Sequence, residues 1–595
     1  KAPETTVEEN KDGTVIDYTG KQDAQPEQEA SRPEGAAPDM EADPAGVDDQ
    51  QEETDPEADK DDPDGQNDQN NQSGQNTQNT QNAGNAGPVA AAPAQGKQLP
   101  EACEHTTRHS ITVNGGELDY AATVGTILID TPKVPKAASI FFTAFDLVNG
   151  EGKTDPARPV TFIFNGGPGS STTFLLMGSI APKRINVPDA APVPAAPYAL
   201  VDNAHTLLPV SDLVFIDAAG AGFSEILDAA KPELWSVDGD VAGFSAFIRA
   251  YLSKHHRWNS PKYVLGESYG TTRGAALAYR LQQDGVALNG LTLISNVLDY
   301  TFTSDLIDEF YVGYFPSYAS VAKYHGRAAS DVKLDEHLKA ARAFAAGPLR
   351  LALAAGDSLD DETRHKVARR YAELTGLDER YVYDSNLRVS DPRFRKALLH
   401  DEDKIVGRYD GRVAGYDLDR MNDEETFVVD DAWLDPAYSS LCNAYLRDEL
   451  GWDRVPERKG FADFDWNATE PGKGWMWWHR MPGESGWVMT QPNVLPDLAA
   501  AIAHQPTMKV LLGNGVYDLC TPFFQTEYDI DHLMLPKPLR RNVAFAYYPA
   551  GHMLYSSEAS LAKFTADLTR FYASDVSGLS AIDERPAAVV PSISL

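Results

Sequence analysis

The chain is poor in cysteine, in basic residues and in long apolar runs. Three cysteines in 595 residues, Cys103, Cys442 and Cys520, exclude a disulfide scaffold and leave at most one bridge and one free thiol. Their spacing matches no zinc site, and neither a metal nor another cofactor is expected. Lysine and arginine number 52 against 88 aspartates and glutamates, a net charge of −36. A protein that binds phosphates needs a basic surface, so nucleic acid is not an expected partner. No apolar run approaches the roughly 18 residues that a membrane span requires. The sequence starts at Lys1 rather than Met and has no signal-like apolar segment. It therefore reads as a mature or trimmed form, with which a removed secretion signal is compatible though none is seen.

What is present is unevenly distributed. Residues 1–100 run through "EADPAGVDDQQEETDPEADKDDPDG" and "QNDQNNQSGQNTQNTQNAGNAG", and acids exceed bases there by 17. Apolar residues are too sparse to offset ordering entropy, so this segment is expected to be a disordered acidic and Gln/Asn-rich tail. A hydrophilic tail ahead of a globular enzyme suits an extracytoplasmic protein, whether secreted, periplasmic or at the cell surface. The sequence says nothing of oligomeric state.

From residue 101 the rhythm is that of an α/β protein. "RPVTFIFNGGPGSSTTFLL" reads as strand, glycine turn and helix start, and "SDLVFIDAAGAGFS" as the next strand. "VAGFSAFIRAYLSKHHRW" has helical spacing, and "PKYVLGESYG" is a strand entering a corner that "TRGAALAYRLQQDG" leaves as a helix. "NGLTLISNVLDY" is a further strand. Such alternation predicts a mostly parallel sheet flanked by helices over 101–300. Residues 301–500 are helix-rich and then tryptophan-dense ("GKGWMWWHRMPGESGWVM"), and strands resume in "TMKVLLGNGVYDLCTP" and "RRNVAFAYYPAGHMLY". The economical division is a core in two parts, 101–300 and 501–595, interrupted by a helical and Trp-rich cap insertion at 301–500.

The corner "GESYG" is a strand–G-x-S-x-G–helix turn, which lifts the oxygen of Ser268 clear of the sheet edge. Gly266 and Gly270 fit because side chains would collide in so sharp a turn. Ser485, in "GESGW", lacks both the fifth-position glycine and the flanking strand and helix, and reads as a loop. A serine nucleophile needs a base, and the base an orienting carboxylate, in the chain order Ser, Asp or Glu, His. Asp518 leaves one apolar strand and His552 leaves another, 34 residues on. His205, His255, His256 and His504 lie outside any strand–turn setting. The developing oxyanion needs donors: one is the N–H of Tyr269, the other lies in "FNGGPGSS", where Gly166 and Gly167 let the backbone approach substrate. A phosphate cradle is disfavoured because no Gly-Lys-Ser/Thr ending follows.

"FNGGPGSS", "IDAAGAGFS", "LGESYG", "GNGVYDLCTP" and "AGHM" occur in the order found in serine carboxypeptidases (peptidase family S10), which the chain resembles over roughly residues 105–575. The resemblance implies the α/β-hydrolase fold and release of C-terminal residues from peptides at mildly acidic pH. It also implies a triad of Ser268, Asp518 and His552, and an oxyanion hole from Gly167 and Tyr269. Asn165 and Glu267 would hold the substrate's terminal carboxylate, assisted by the backbone of Gly166. An ionised Glu267 would repel that anion, whereas a protonated one donates to it. Two carboxyls sharing one proton would raise its pKa in the required direction.

The chain departs from the family in two places. "GSIAPKRI" puts Ser179 where the family has a second acid, and "DAAGAG" alters the support around Asp217. Other signals have two readings. "WMWWHR" lines the site or packs an interior, Arg273 faces the pocket or pairs with the scaffold, and "NATE" at Asn467 matches a glycosylation acceptor. Two rival functions stand beside the peptidase: an esterase or acyltransferase on the same scaffold, and a catalytically inactive peptide-binding protein.

Overall fold

The computed structural model describes residues 98–454, 457–483, 488–574 and 579–581. All but the last three residues of the expected tail, and Ser485, lie outside them.

Strands β1 (Glu104–Val113), β2 (Gly116–Ile129) and β3 (Ala138–Leu147) form an antiparallel ribbon. The following strands run parallel: β4 (Val160–Phe164), β5 (Asp212–Ile216), β6 (Lys262–Ser268), β7 (Gly290–Asn296), β8 (Lys509–Gly515) and β9 (Val543–Tyr548). Their order across the sheet is β1-β2-β3-β5-β4-β6-β7-β8-β9, with β3 antiparallel to β5. "VTFIF" and "DLVFI" are buried along their whole length, because a parallel sheet covered on both faces has no solvent side to alternate with.

Helices α1 (Thr173–Gly178), α2 (Val237–Lys254), α3 (Tyr269–Gln283), α4 (Asp308–Tyr324), α5 (Leu334–Phe344), α6 (Asp361–Thr375), α7 (Val429–Ala444), α8 (Leu495–His504) and α9 (Glu558–Tyr572) complete the layers. Phe162, Phe164, Val264 and Leu293 share one core with Phe244 of α2, Leu277 of α3 and Leu498 of α8. Ile163, Leu265, Ile294 and Leu511 point the other way, into a core with Leu176 of α1, Tyr438 of α7 and Phe564 of α9. This alternation assigns the helices to opposite faces. Together with the strand-to-helix corner at Ser268, it gives the molecule the α/β-hydrolase fold.

Helices α4–α8 all fall between β7 and β8. Those from α4 to α6 build a third core around Phe315, Tyr318, Phe344 and Tyr371, which also takes in Tyr517 and Leu519 from the loop after β8 and Phe523 from the helix that follows it. The antiparallel ribbon was not anticipated. β1 reads "EHTTRHSITV" and is largely exposed, so little apolar patterning marks it.

Phe164, Gly266, Leu293, Leu512 and Phe545 stand in one row across five strands. The loops leaving that edge are therefore neighbours, and they carry Asn165, Ser268, Asp518 and His552.

Candidate active site

Ser268 ends β6 and begins α3 with φ 60° and ψ −130°. A non-glycine residue held there costs about 1–3 kcal/mol, and the turn around it is tight. A Cβ on Gly266 would lie 2.1 Å from the Gly270 carbonyl oxygen, so the first glycine of the motif is dictated by backbone crossing. The serine stays partly exposed while both neighbours are buried.

Asp518 is fully buried and its carboxylate is saturated with donors. Oδ1 accepts the N–H groups of Cys520 (2.8 Å) and Thr521 (2.9 Å). Oδ2 accepts the Thr521 hydroxyl (2.7 Å) and lies 2.8 Å from His552 Nδ1. The ring is fixed through its backbone as well: His552 N–H donates to the Tyr409 carbonyl at 2.6 Å, and the Ser295 hydroxyl donates to the His552 carbonyl. Burial lowers the basicity of His552, but the charge and hydrogen bond of Asp518 outweigh it, leaving the pKa raised. Ser295 precedes Asn296, which pairs with Ser268 across the sheet, so all three residues share one stretch of the edge. Asp518 and His552 are in contact, while no hydrogen bond joins the Ser268 hydroxyl to the ring.

The loop "NGGPG" lies directly against the corner. A Cβ on Gly166 would come within 2.5 Å of the Tyr269 nitrogen, and Gly167 has φ +103°, which an L side chain rarely adopts. Two buried arginines fix this loop. Arg273, fully buried, donates Nη1 to the Asn165 carbonyl (2.7 Å) and Nε to Asp240 (2.6 Å), and the Tyr269 hydroxyl meets the same aspartate at 3.2 Å. Arg273 thus braces the scaffold and does not face a pocket. Arg458 donates to Asp217 (2.8 Å) and Ser171 (2.8 Å), and Thr172 N–H also reaches Asp217 (2.7 Å). Asp217 therefore anchors the loop to a residue from the 301–500 segment.

Asn165 Nδ2 donates to Glu267 Oε1 at 2.6 Å, and Asn165 Oδ1 accepts the Leu175 N–H at 3.0 Å. Glu267 is 3% exposed. Burial pushes its pKa up to about 7, against the opposing pull of His552 and with a smaller upward contribution from Asp518. Burial, not a second carboxyl sharing a proton, is thus the main cause. Ser179 turns away and bonds back to the Leu175 carbonyl. The Tyr555 phenol acts on Glu267 instead, through a hydrogen bond that favours its ionised form, and Tyr438 lies within the field of Glu267. Both Glu267 Oε2 and the Tyr555 hydroxyl are buried, and the two groups are hydrogen-bonding neighbours.

Trp475 of "WMWWHR" is buried and packs edge-on against Tyr269, with ring centroids 5.5 Å apart, so it supports the corner from within the core. All three cysteines are free, and burial pushes the Cys520 thiol up to about 12. Thr521, Tyr409, Tyr555 and Arg458 were not anticipated. Thr521 alone carried a signal, its position three residues after Asp518.

No curated protein matches this chain. The model of the serine carboxypeptidase family, Peptidase_S10, matches residues 132–314. Among solved structures, Kex1Δp, a prohormone-processing carboxypeptidase from Saccharomyces cerevisiae, is 16% identical with a TM-score of 0.46, covering 77% of this chain and 92% of that one. A proline iminopeptidase from Mycobacterium smegmatis is 13% identical with a TM-score of 0.30, covering 79% and 98%.

Proposed function

Because residues 132–314 match the serine carboxypeptidase family, we propose that the chain is a serine carboxypeptidase that releases C-terminal residues from peptides through an acyl-enzyme on Ser268. His552 takes the Ser268 proton at Nε2 as the oxygen attacks the terminal peptide carbonyl, and Asp518 holds the ring in the required tautomer. The N–H groups of Gly167 and Tyr269 receive the developing oxyanion. His552 then protonates the leaving amine, and water attacks the acyl-enzyme with His552 again as base. The surrounding 301–500 segment serves as a cap, and the enzyme acts outside the cytoplasm.

The observation that carries this reading is the buried Asn165–Glu267 pair beside the nucleophile. With its pKa near 7, Glu267 is protonated under mildly acidic conditions and donates, with Asn165 and the Gly166 backbone, to the free C-terminal carboxylate. Labelling with a fluorophosphonate, followed by peptide mapping, tests the nucleophile. A Ser268 adduct is expected, and its absence from folded protein excludes the acyl-enzyme and favours a binding protein. Ser179, standing where relatives carry an acid, favours an esterase or acyltransferase as the second reading. Hydrolysis of acyl esters without any cleavage of peptides would select it.

A further inference from the structure

Arg408 is fastened by its backbone to the loops that carry Asp518 and His552. Its carbonyl accepts the N–H of Leu519, and the next residue, Tyr409, accepts that of His552. Its own N–H goes to Asp430 Oδ1 at 3.3 Å. The guanidinium has no such ties. Other buried arginines are spent: Arg273 on Asp240, Arg458 on Asp217, Arg395 on Asp391 and Arg412 on Asp410. Arg408 makes no side-chain hydrogen bond or ion pair with any described residue, and it is half-buried rather than sealed.

Its surroundings place it beside the Asp518–His552 pair. Cys520, Tyr409, Asp391 and Tyr314 lie within its field, and it opposes protonation of His552. The nearby acids do not neutralise it by contact. Asp391 is held by Arg395, Asp430 accepts the N–H groups of Arg408 and Asp410, and Asp431 lies beyond ion-pair reach. A half-buried guanidinium without a hydrogen-bonded partner is unfavourable, and its planar fork matches a carboxylate in two-point contact.

The strand order β4-β6-β7-β8 sets Asn165 on one side of Ser268 and the loop after β8, with Arg408 tied to it, on the other. On the carboxypeptidase reading, on which this inference rests, the released residue lies on the Asn165 side. The preceding residue then points toward β8. We propose that Arg408 receives a substrate carboxylate, that of a glutamate or aspartate side chain immediately N-terminal to the scissile bond, and so gives the enzyme a preference for acidic peptides.

The test compares kcat/KM for acetyl-Ala-Glu-Phe and acetyl-Ala-Gln-Phe with the wild type, Arg408→Gln and Arg408→Lys. Binding of both peptides and of their C-terminal amides to a Ser268→Ala variant, with and without Arg408→Gln, is measured in parallel. We expect a wild-type preference for the Glu peptide of about tenfold or more, a ratio near one in Arg408→Gln, and partial recovery in Arg408→Lys. Equal handling of the two peptides by the wild type overturns the proposal. So does an equal loss on both peptides in Arg408→Gln, the mark of a structural role. A loss confined to peptides with a free C-terminus assigns Arg408 to the terminal carboxylate and overturns the side-chain assignment. If the wild type cleaves neither peptide, the carboxypeptidase reading fails, and Glu-over-Gln binding by the Ser268→Ala variant still decides the role of Arg408.

Discussion

Asn165 Nδ2 and Glu267 Oε1 are 2.6 Å apart, and this bond ties the loop after β4 to the residue before Ser268. It leaves Glu267 Oε2 in a buried site beside the Tyr555 phenol. A protonated Glu267 can donate to an anion, and an ionised one repels it. The pKa near 7 decides between these states within the physiological range.

Affinity for peptides with a free C-terminus should therefore fall as pH rises through about 7, the value at which Glu267 ionises. KM for a free-acid peptide should rise by about tenfold or more between pH 5 and 8, while KM for the matching amide stays level. At the acid end, kcat should fall as His552, whose pKa is raised by Asp518, takes up a proton. Parallel KM trends for acid and amide would remove Glu267 from carboxylate binding.

Glu267→Gln keeps a donor at every pH. The variant should show a KM for free-acid peptides that no longer depends on pH between 5 and 8. It should also change stability. A carboxyl whose pKa rises from 4.5 to about 7 on folding makes the native state lose stability as pH rises from 4.5 through 7. That loss is roughly 3 kcal/mol. Denaturant titrations should find the variant more stable than wild type at pH 8 and no more stable at pH 4.

Arg458 joins the 301–500 segment to the loop through Asp217 and Ser171. Arg458→Met leaves the buried Asp217 without its cation and should cost about 3–5 kcal/mol, read as a lowered Tm. Activity should fall with it, because Thr172 and Ser171 lose the same anchor. The double variant Arg458→Met/Asp217→Asn should recover much of the stability, since no uncompensated charge remains.

His479 bridges Asp238 in the first turn of α2 (2.7 Å) and Asp497 in the first turn of α8 (2.9 Å). Burial works against its charge, but hydrogen bonds to the two aspartates raise its pKa to about 9. The stabilisation is fully present below pH 6.5 and is lost as pH rises through 9, a change of roughly 3 kcal/mol. His479→Gln should flatten that slope, and an unchanged slope would contradict the assignment.

The parts legible in the sequence were those that local chemistry dictates. A corner as sharp as that at Ser268 admits only glycine at Gly266, and buried strands such as "VTFIF" must be apolar throughout. The contact between Asp518 and His552 was legible because each leaves an apolar strand, and the sheet register brings the two loops together. The supporting partners were not legible. Arg458 and Tyr409 come from the 301–500 segment, and Tyr555 lies beyond the "AGHM" stretch. Their roles depend on how distant segments pack, which no periodicity records. The pKa of Glu267 was anticipated in direction, but through a neighbouring acid. Its depth in the fold is the larger cause, and burial of one side chain in a loop is not written in its neighbours.

The most direct test is a mass-resolved digest of a defined peptide library, run at several pH values between 5 and 8 with free and amidated C-termini. A carboxypeptidase yields a ladder of products shortened one residue at a time from the free C-terminus, with amidated peptides spared or much slower. Cleavage at internal bonds, or intact peptides alongside rapid ester hydrolysis, would contradict the carboxypeptidase reading.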